Sequence, residues 1–128
     1  MKIVLDTNVL VSAFWRPDCQ ITHILKSALK YELILCYNTK IIEEYSEVSS
    51  RPKFNFNKQD LNNFLETIKR KGEFIVAPQL EINFIDEDDR PFYEIAKFLN
   101  IPLITGNLKH YPKDKIVMSP AEFLVKYN

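Results

Sequence analysis

Lys2-Ile3-Val4-Leu5-Asp6 decides how the rest of the chain is read. The apolar run is too short for a helix and does not alternate with polar residues. A strand made from it has no face to give to water, which is the character of a parallel sheet covered on both sides. Asp6 then ends the run. Thr7 or Asn8 stands where a helix cap would, ahead of the short, partly β-branched Val9-Leu10-Val11.

Outward from this strand the pattern alternates. After a break at Arg16-Pro17-Asp18, the spacing of Ile21, Ile24, Leu25 and Ala28 predicts a helix over 21–30. Leu33-Ile34-Leu35 centres a strand over 32–36. Asn38 or Thr39 precedes a helix over 40–48, which Arg51-Pro52 ends. Asn57 caps a helix over 58–71 with Leu61, Phe64, Leu65 and Ile68 as its apolar stripe and Gly72 just past its last turn. An edge strand over 73–77 stops at Pro78, and an acidic loop covers 82–89. A helix follows from Arg90 to about Asn100, with Pro91 tolerated in its first turn. Strands over 101–105 and 116–117 and a helix from Pro120 through Tyr127 complete the order. Such alternation predicts a single α/β domain over residues 1–128 with a mainly parallel central sheet.

Composition narrows the function. The chain of 128 residues balances 17 Lys and Arg against 17 Asp and Glu, which excludes a histone-like basic binder but not a nucleic-acid substrate, because charge can be segregated. With only 2 Gly there is no G-x-G-x-x-G and no P-loop pattern, so a dinucleotide or nucleoside-triphosphate cradle has no support. No apolar run approaches the roughly 18 residues of a membrane helix, and the start lacks the features of a signal peptide. Cys19 and Cys36 are not spaced as a metal-ligand pair, and they read as reduced thiols of a cytoplasmic protein.

The chemistry-bearing residues fall at strand ends, where α/β sheets place their sites. Asp6 follows the first strand and Asn107 follows the strand over 101–105. Glu43 and Glu44 lie on the helix after the second strand, and Asp86, Glu87, Asp88 and Asp89 lead into the helix from Arg90. Each has a plainer reading alone: a cap or turn former for Asp6, a solvated face for Glu43 and Glu44, a helix-dipole partner for the 86–89 acids, a turn residue for Asn107. Together they describe a cluster of like charges that needs cations to stay ionised. Oxygen ligands of this kind suit Mg2+ or Mn2+. An aspartyl-nucleophile phosphatase would also put Asp6 after the first strand, but Asp6-Thr7-Asn8 lacks the second acid two residues on.

Several stretches in order resemble PIN-domain ribonucleases: Lys2 to Ser12, with its Asp6-Thr7-Asn8-Val9; Asp88-Asp89-Arg90-Pro91-Phe92; Leu103 to Pro112, with Thr105-Gly106-Asn107; and Ile116 to Leu124. Arg51-Pro52-Lys53-Phe54 resembles the toxin components of bacterial toxin–antitoxin pairs. The resemblance implies a three-layer α/β/α fold and a metal-dependent endoribonuclease that hydrolyses RNA phosphodiester bonds. It makes Asp6, Glu44 (over Glu43) and Asp89 the metal carboxylates. Thr7, Asn8 and Ser12 support the opening turn. Lys109 and His110 lie near the expected site and can meet RNA phosphate, the plainer reading of His110 being a surface or packing histidine beside Tyr111-Pro112. Many PIN domains carry a fourth aspartate where this chain has Asn107, whose carbonyl oxygen can ligate a hard cation or hold its water without adding charge. The resemblance further implies an antitoxin partner and a homodimer. Phe14 or Trp15 read as aromatic residues of a core or dimer interface, with stacking on a base as the alternative. The alternative is a catalytically weak or inactive PIN-like protein that binds RNA or a partner.

Overall fold

The computed structural model describes residues 1–15 and 33–127. The helix expected over 21–30, the break at 16–18, Cys19 and the side chains of Phe14 and Trp15 lie outside the described residues. Strand β1 (Lys2–Leu5) buries Ile3, Val4 and Leu5 completely, as its unbroken apolar run requires. Helix α1 (Thr7–Trp15) starts at once, with the N–H groups of Val9 and Leu10 donating to the Asp6 carbonyl. β-Branched Val9 and Val11 do not prevent helix here, because both side chains are buried and tertiary packing outweighs propensity.

Strand β2 (Ile34–Tyr37) leads through Asn38 into α2 (Thr39–Ser49), and the Asn38 side chain accepts from the Ile41 N–H at 2.9 Å. Helix α3 (Lys58–Lys71) is capped the same way by Asn57, which accepts from the Asp60 N–H at 3.0 Å. Next come β3 (Glu73–Phe74), a 3₁₀ turn over Glu87–Asp89 and α4 (Arg90–Leu99), with Asn100 in the left-handed conformation at its end. Strand β4 (Leu103–Ile104), a 3₁₀ turn over Leu108–His110, β5 (Val117–Met118) and α5 (Pro120–Tyr127) follow. Helix α5 opens on a reciprocal cap: the Ser119 N–H donates to Glu122 at 3.0 Å and the Glu122 N–H to Ser119 at 3.1 Å.

The strands form an all-parallel sheet in the order β3-β2-β1-β4-β5, within a three-layer α/β/α arrangement. Lys2 pairs with Ile34 and Ile3 with Leu35 on one side of β1; Val4 pairs with Leu103 and Leu5 with Ile104 on the other. Helix α4 packs Phe92, Ile95 and Ala96 over β1, β2 and β4, while α3 covers β2 and β3.

Some boundaries differ from the sequence expectation. The second strand runs one residue further, to Tyr37, and the last is shifted to Val117–Met118. The strand expected over 73–77 pairs only at Glu73 and Phe74, with one further ladder bond from the Ile75 N–H to the Tyr37 carbonyl. Beyond it, the chain is drawn away to α4: Glu94 accepts from the Leu80 N–H at 2.7 Å, and Arg90 donates to the carbonyls of Leu80 and Ile82. Within 101–105 only Leu103 and Ile104 form strand, because Pro102 has no N–H to give. Gly72 does cap α3, but not through a left-handed conformation; a Cβ there would lie 2.5 Å from the Leu35 carbonyl oxygen and 2.6 Å from that of Ile68.

Candidate active site

The chain runs from β1 outward through β2 to β3, then returns to the other side of β1 as β4 and β5. The carboxyl ends of β1 and β4 therefore flank the point where the winding reverses, where parallel sheets open a crevice. Asp6 is the first residue past β1, with its N–H bonded to the Ile104 carbonyl at 3.0 Å. Its side chain is only 5% exposed. One carboxylate oxygen, Oδ2, accepts from the Thr105 hydroxyl at 2.7 Å and from the Tyr111 hydroxyl at 3.0 Å. Burial pushes the Asp6 carboxyl above the usual aspartate range, against these two bonds and one from the Thr7 backbone.

Glu44 reaches the same region from α2. The next residue, Tyr45, is fully buried and donates its hydroxyl to the Leu5 carbonyl, which ties α2 to the end of β1. Glu44 is half-buried and its carboxyl is pushed up to about 7, by burial first and then by the charges of Asp88, Asp6, Asp89 and Asp86. Glu43, one position away, is exposed. Asp89 closes the 3₁₀ turn before α4 and is buried. Its carboxyl rises to about 6, through burial and then Asp6 and Asp86, opposed by His110. His110 Nδ1 lies 3.2 Å from Asp89 Oδ2. Asp86 caps the turn by accepting from the Asp88 N–H at 3.0 Å.

The other expected residues are placed as follows. Asn8 accepts from the Gly106 N–H at 3.2 Å, joining the start of α1 to the turn after β4. The Asn107 N–H donates to the Thr105 hydroxyl oxygen at 2.9 Å, while its amide side chain makes no capping bond. Thr7 Oγ1 is buried without a hydrogen-bond partner. Ser12 is half-buried on α1, and Lys109 is exposed on the 108–110 turn. Thr105 and Tyr111, which bond Asp6 directly, were not singled out by the sequence. The available signal was a hydroxyl residue ending an otherwise apolar strand.

The donors gathered here are carboxylate, amide and hydroxyl oxygens, a hard set that fits Mg2+ or Mn2+ rather than a soft metal. The acids raise one another's proton affinity, so a cation would relieve them, and Thr7 Oγ1 is a buried polar atom still lacking a partner. Among the described residues, no three Asp, Glu, His or Cys side chains are grouped so as to enclose a metal ion. A cation there would therefore be held by no more than two of these acidic side chains, with water completing its coordination. Beyond Glu44 and Asp88 the surface continues as a cleft of about 780 Å³ that also carries Glu43, Glu47, Glu87 and Glu94.

A parallel sheet with acids at its reversal point has its candidate site where α/β folds bind ligands, and sequence comparison supplies the family. The PIN domain matches residues 2–109, so the chain belongs to the PIN-domain family. Proteins of this family are generally nucleases that act on RNA and typically use divalent metal ions. Comparison with curated proteins gives no match. Among the described residues, no helix is long and apolar enough to cross a membrane.

Proposed function

We propose that residues 1–128 act as one domain, a cytoplasmic endoribonuclease dependent on Mg2+ or Mn2+. The observation that carries the reading is the pair of buried carboxylates at the reversal point of the sheet, Asp6 held by Thr105 and Tyr111 and Asp89 beside His110, with Glu44 near enough for their charges to raise its proton affinity. Asp6 and Asp89 would hold the cation, with Glu44 reaching it through water and the Asn107 carbonyl oxygen as a neutral ligand or a holder of its water. When bound, the cation supplies a water nucleophile at neutral pH and charge stabilisation for the departing 3′ oxygen. Asp6 is fixed for this by Thr105 and Tyr111, and Asp89 by His110. Lys109, exposed on the same turn as His110, would meet phosphate.

The resemblance of Arg51-Pro52-Lys53-Phe54 to toxin members supports a toxin component with an antitoxin partner, and a homodimer. A second reading, a weak or inactive PIN-like protein that binds RNA or a partner, is favoured by one residue: Asn107 brings no charge to the site. The deciding experiment incubates structured and single-stranded RNAs with and without Mn2+, beside Asp6→Asn. Metal-dependent cleavage by the parent and none by the variant is expected. Equal cleavage by both would remove the acidic site from the mechanism.

A further inference from the structure

The nuclease reading leaves an electrostatic problem. Asp6, Glu44, Asp86, Asp88 and Asp89 repel a polyanion, and the cleft beyond Glu44 is acidic on balance, although Lys40 lines it and Arg90 pairs with its Glu87 and Glu94. On the other side of the site the surface changes sign. Two hollows of about 550 Å³ and 530 Å³ share Lys113, Asp114, Val117 and Glu122, so they form one trough along β5. Its inner end is the 108–111 turn, whose Tyr111 bonds Asp6 and whose His110 contacts Asp89. Its outer end is Lys126 on α5.

Four lysines line the trough: Lys109, Lys113, Lys115 and Lys126. None forms a salt bridge among the described residues. The two acids in the lining are already engaged. Asp114 accepts from Lys97 at 2.9 Å and from the Tyr93 hydroxyl at 2.8 Å, and Glu122 caps α5. Positive charge without an acidic partner among the described residues therefore dominates, with Lys126 resting over the Tyr127 ring at 5.5 Å, above a floor that includes Leu108, Pro112 and Val117. Ammonium groups over apolar surface suit a strand whose phosphates meet lysine while its bases lie against side chains. Asp6 and Asp89 are recessed, which a flexible single strand can enter more readily than a rigid duplex.

We propose that this trough is the binding track for single-stranded RNA, which it delivers to the carboxylates past Tyr111. The proposal rests on the nuclease reading for the identity of the ligand, but its test does not depend on cleavage. Binding of a labelled single-stranded RNA of about 12 nucleotides is measured by fluorescence anisotropy across a salt series. Parent protein is compared with a Lys113→Gln, Lys115→Gln, Lys126→Gln triple variant, all three positions being exposed. Loss of about tenfold or more in affinity is expected, with the slope of log K against log salt flattened by about two. Unchanged affinity and slope would overturn the track, as would tighter binding of a duplex of the same sequence. Cleavage of the same RNA by the parent, with and without Mn2+, is scored separately. Lysine-dependent binding without cleavage supports the track and sinks the hydrolase, whereas cleavage with lysine-independent binding does the reverse.

Discussion

The Thr105 hydroxyl donates to Asp6 Oδ2 at 2.7 Å and accepts from the Asn107 N–H at 2.9 Å, so one side chain joins the ends of β1 and β4. A hydroxyl can serve both partners because it is donor and acceptor at once. Thr105→Val keeps the shape and removes both bonds, leaving a buried carboxylate short of a donor. The expected cost is about 1–3 kcal/mol of stability, read by urea unfolding. Thr105→Ser, which retains the hydroxyl, is expected to recover most of it. An unaltered Thr105→Val transition would mean that Tyr111 alone satisfies Asp6.

The raised carboxyls set a pH dependence with a definite sign. Glu44 at about 7 and Asp89 at about 6 both lie above their ordinary values, so the metal-free folded protein binds more protons than the unfolded chain in this range. Stability of the metal-free protein therefore falls as pH rises from about 4.5 through 7. Mn2+ is expected to oppose the fall, because it favours the ionised carboxylates, and to do little at pH 5 where they are protonated. Thermal unfolding at several pH values, in chelator and in Mn2+, measures both effects. A melting temperature that climbs between pH 5 and 7 in chelator would contradict the proposed burial of these acids.

Adjacent glutamates on α2 separate charge from position. Half-buried Glu44 feels the charges of Asp88, Asp6, Asp89 and Asp86, whereas Glu43 is exposed. In chelator at pH 8, Glu44→Gln is expected to raise the melting temperature by relieving repulsion, and in Mn2+ to lower RNA cleavage on the order of 100-fold. Glu43→Gln should leave both measurements near the parent's. Equal losses of cleavage from the two substitutions would argue that α2 sits differently during the reaction.

Much of this arrangement was legible because it is written in single residues at strand ends. The apolar Ile3-Val4-Leu5 run demanded burial on both faces, and the structure buries all three. Asn57 stood three residues ahead of the Asp60 N–H that it caps, within reach of local pattern reading. What stayed hidden was long-range. Tyr111 bonds a residue 105 positions away, and nothing local to Tyr111 distinguishes a core phenol from one that supports Asp6. The short β3 was equally out of reach, since Arg90 and Glu94 draw the chain from the sheet through backbone atoms that carry no sequence signature.

Gly72 gives a prediction about packing alone. Its backbone is extended, with φ −86°, so alanine meets no conformational barrier there. A Cβ would nevertheless stand 2.5 Å and 2.6 Å from two backbone carbonyl oxygens, neither of which can rotate away as a side chain would. Gly72→Ala is expected to cost about 1–3 kcal/mol, the range for overpacking, by pushing α3 from β2. Chemical denaturation reads the loss, and a neutral or stabilising result would show that the α3 end relaxes freely.

Asn107 tests whether charge limits the site. Its N–H is held by Thr105, while its side chain is not spent on capping the following turn and remains available to a cation or its water. Asn107→Asp adds a negative group beside acids that already raise one another's proton affinity, so the metal-free protein should melt at a lower temperature. With Mn2+ the order reverses: a further charged ligand is expected to tighten binding on the order of tenfold, because affinity of hard-cation sites follows ligand charge. Isothermal titration of parent and variant with Mn2+ at pH 7.5 measures the difference, and cleavage assays show whether tighter binding also speeds turnover. Identical affinities, with the expected fall in metal-free stability, would place Asn107 near the carboxylates but outside the cation's coordination sphere.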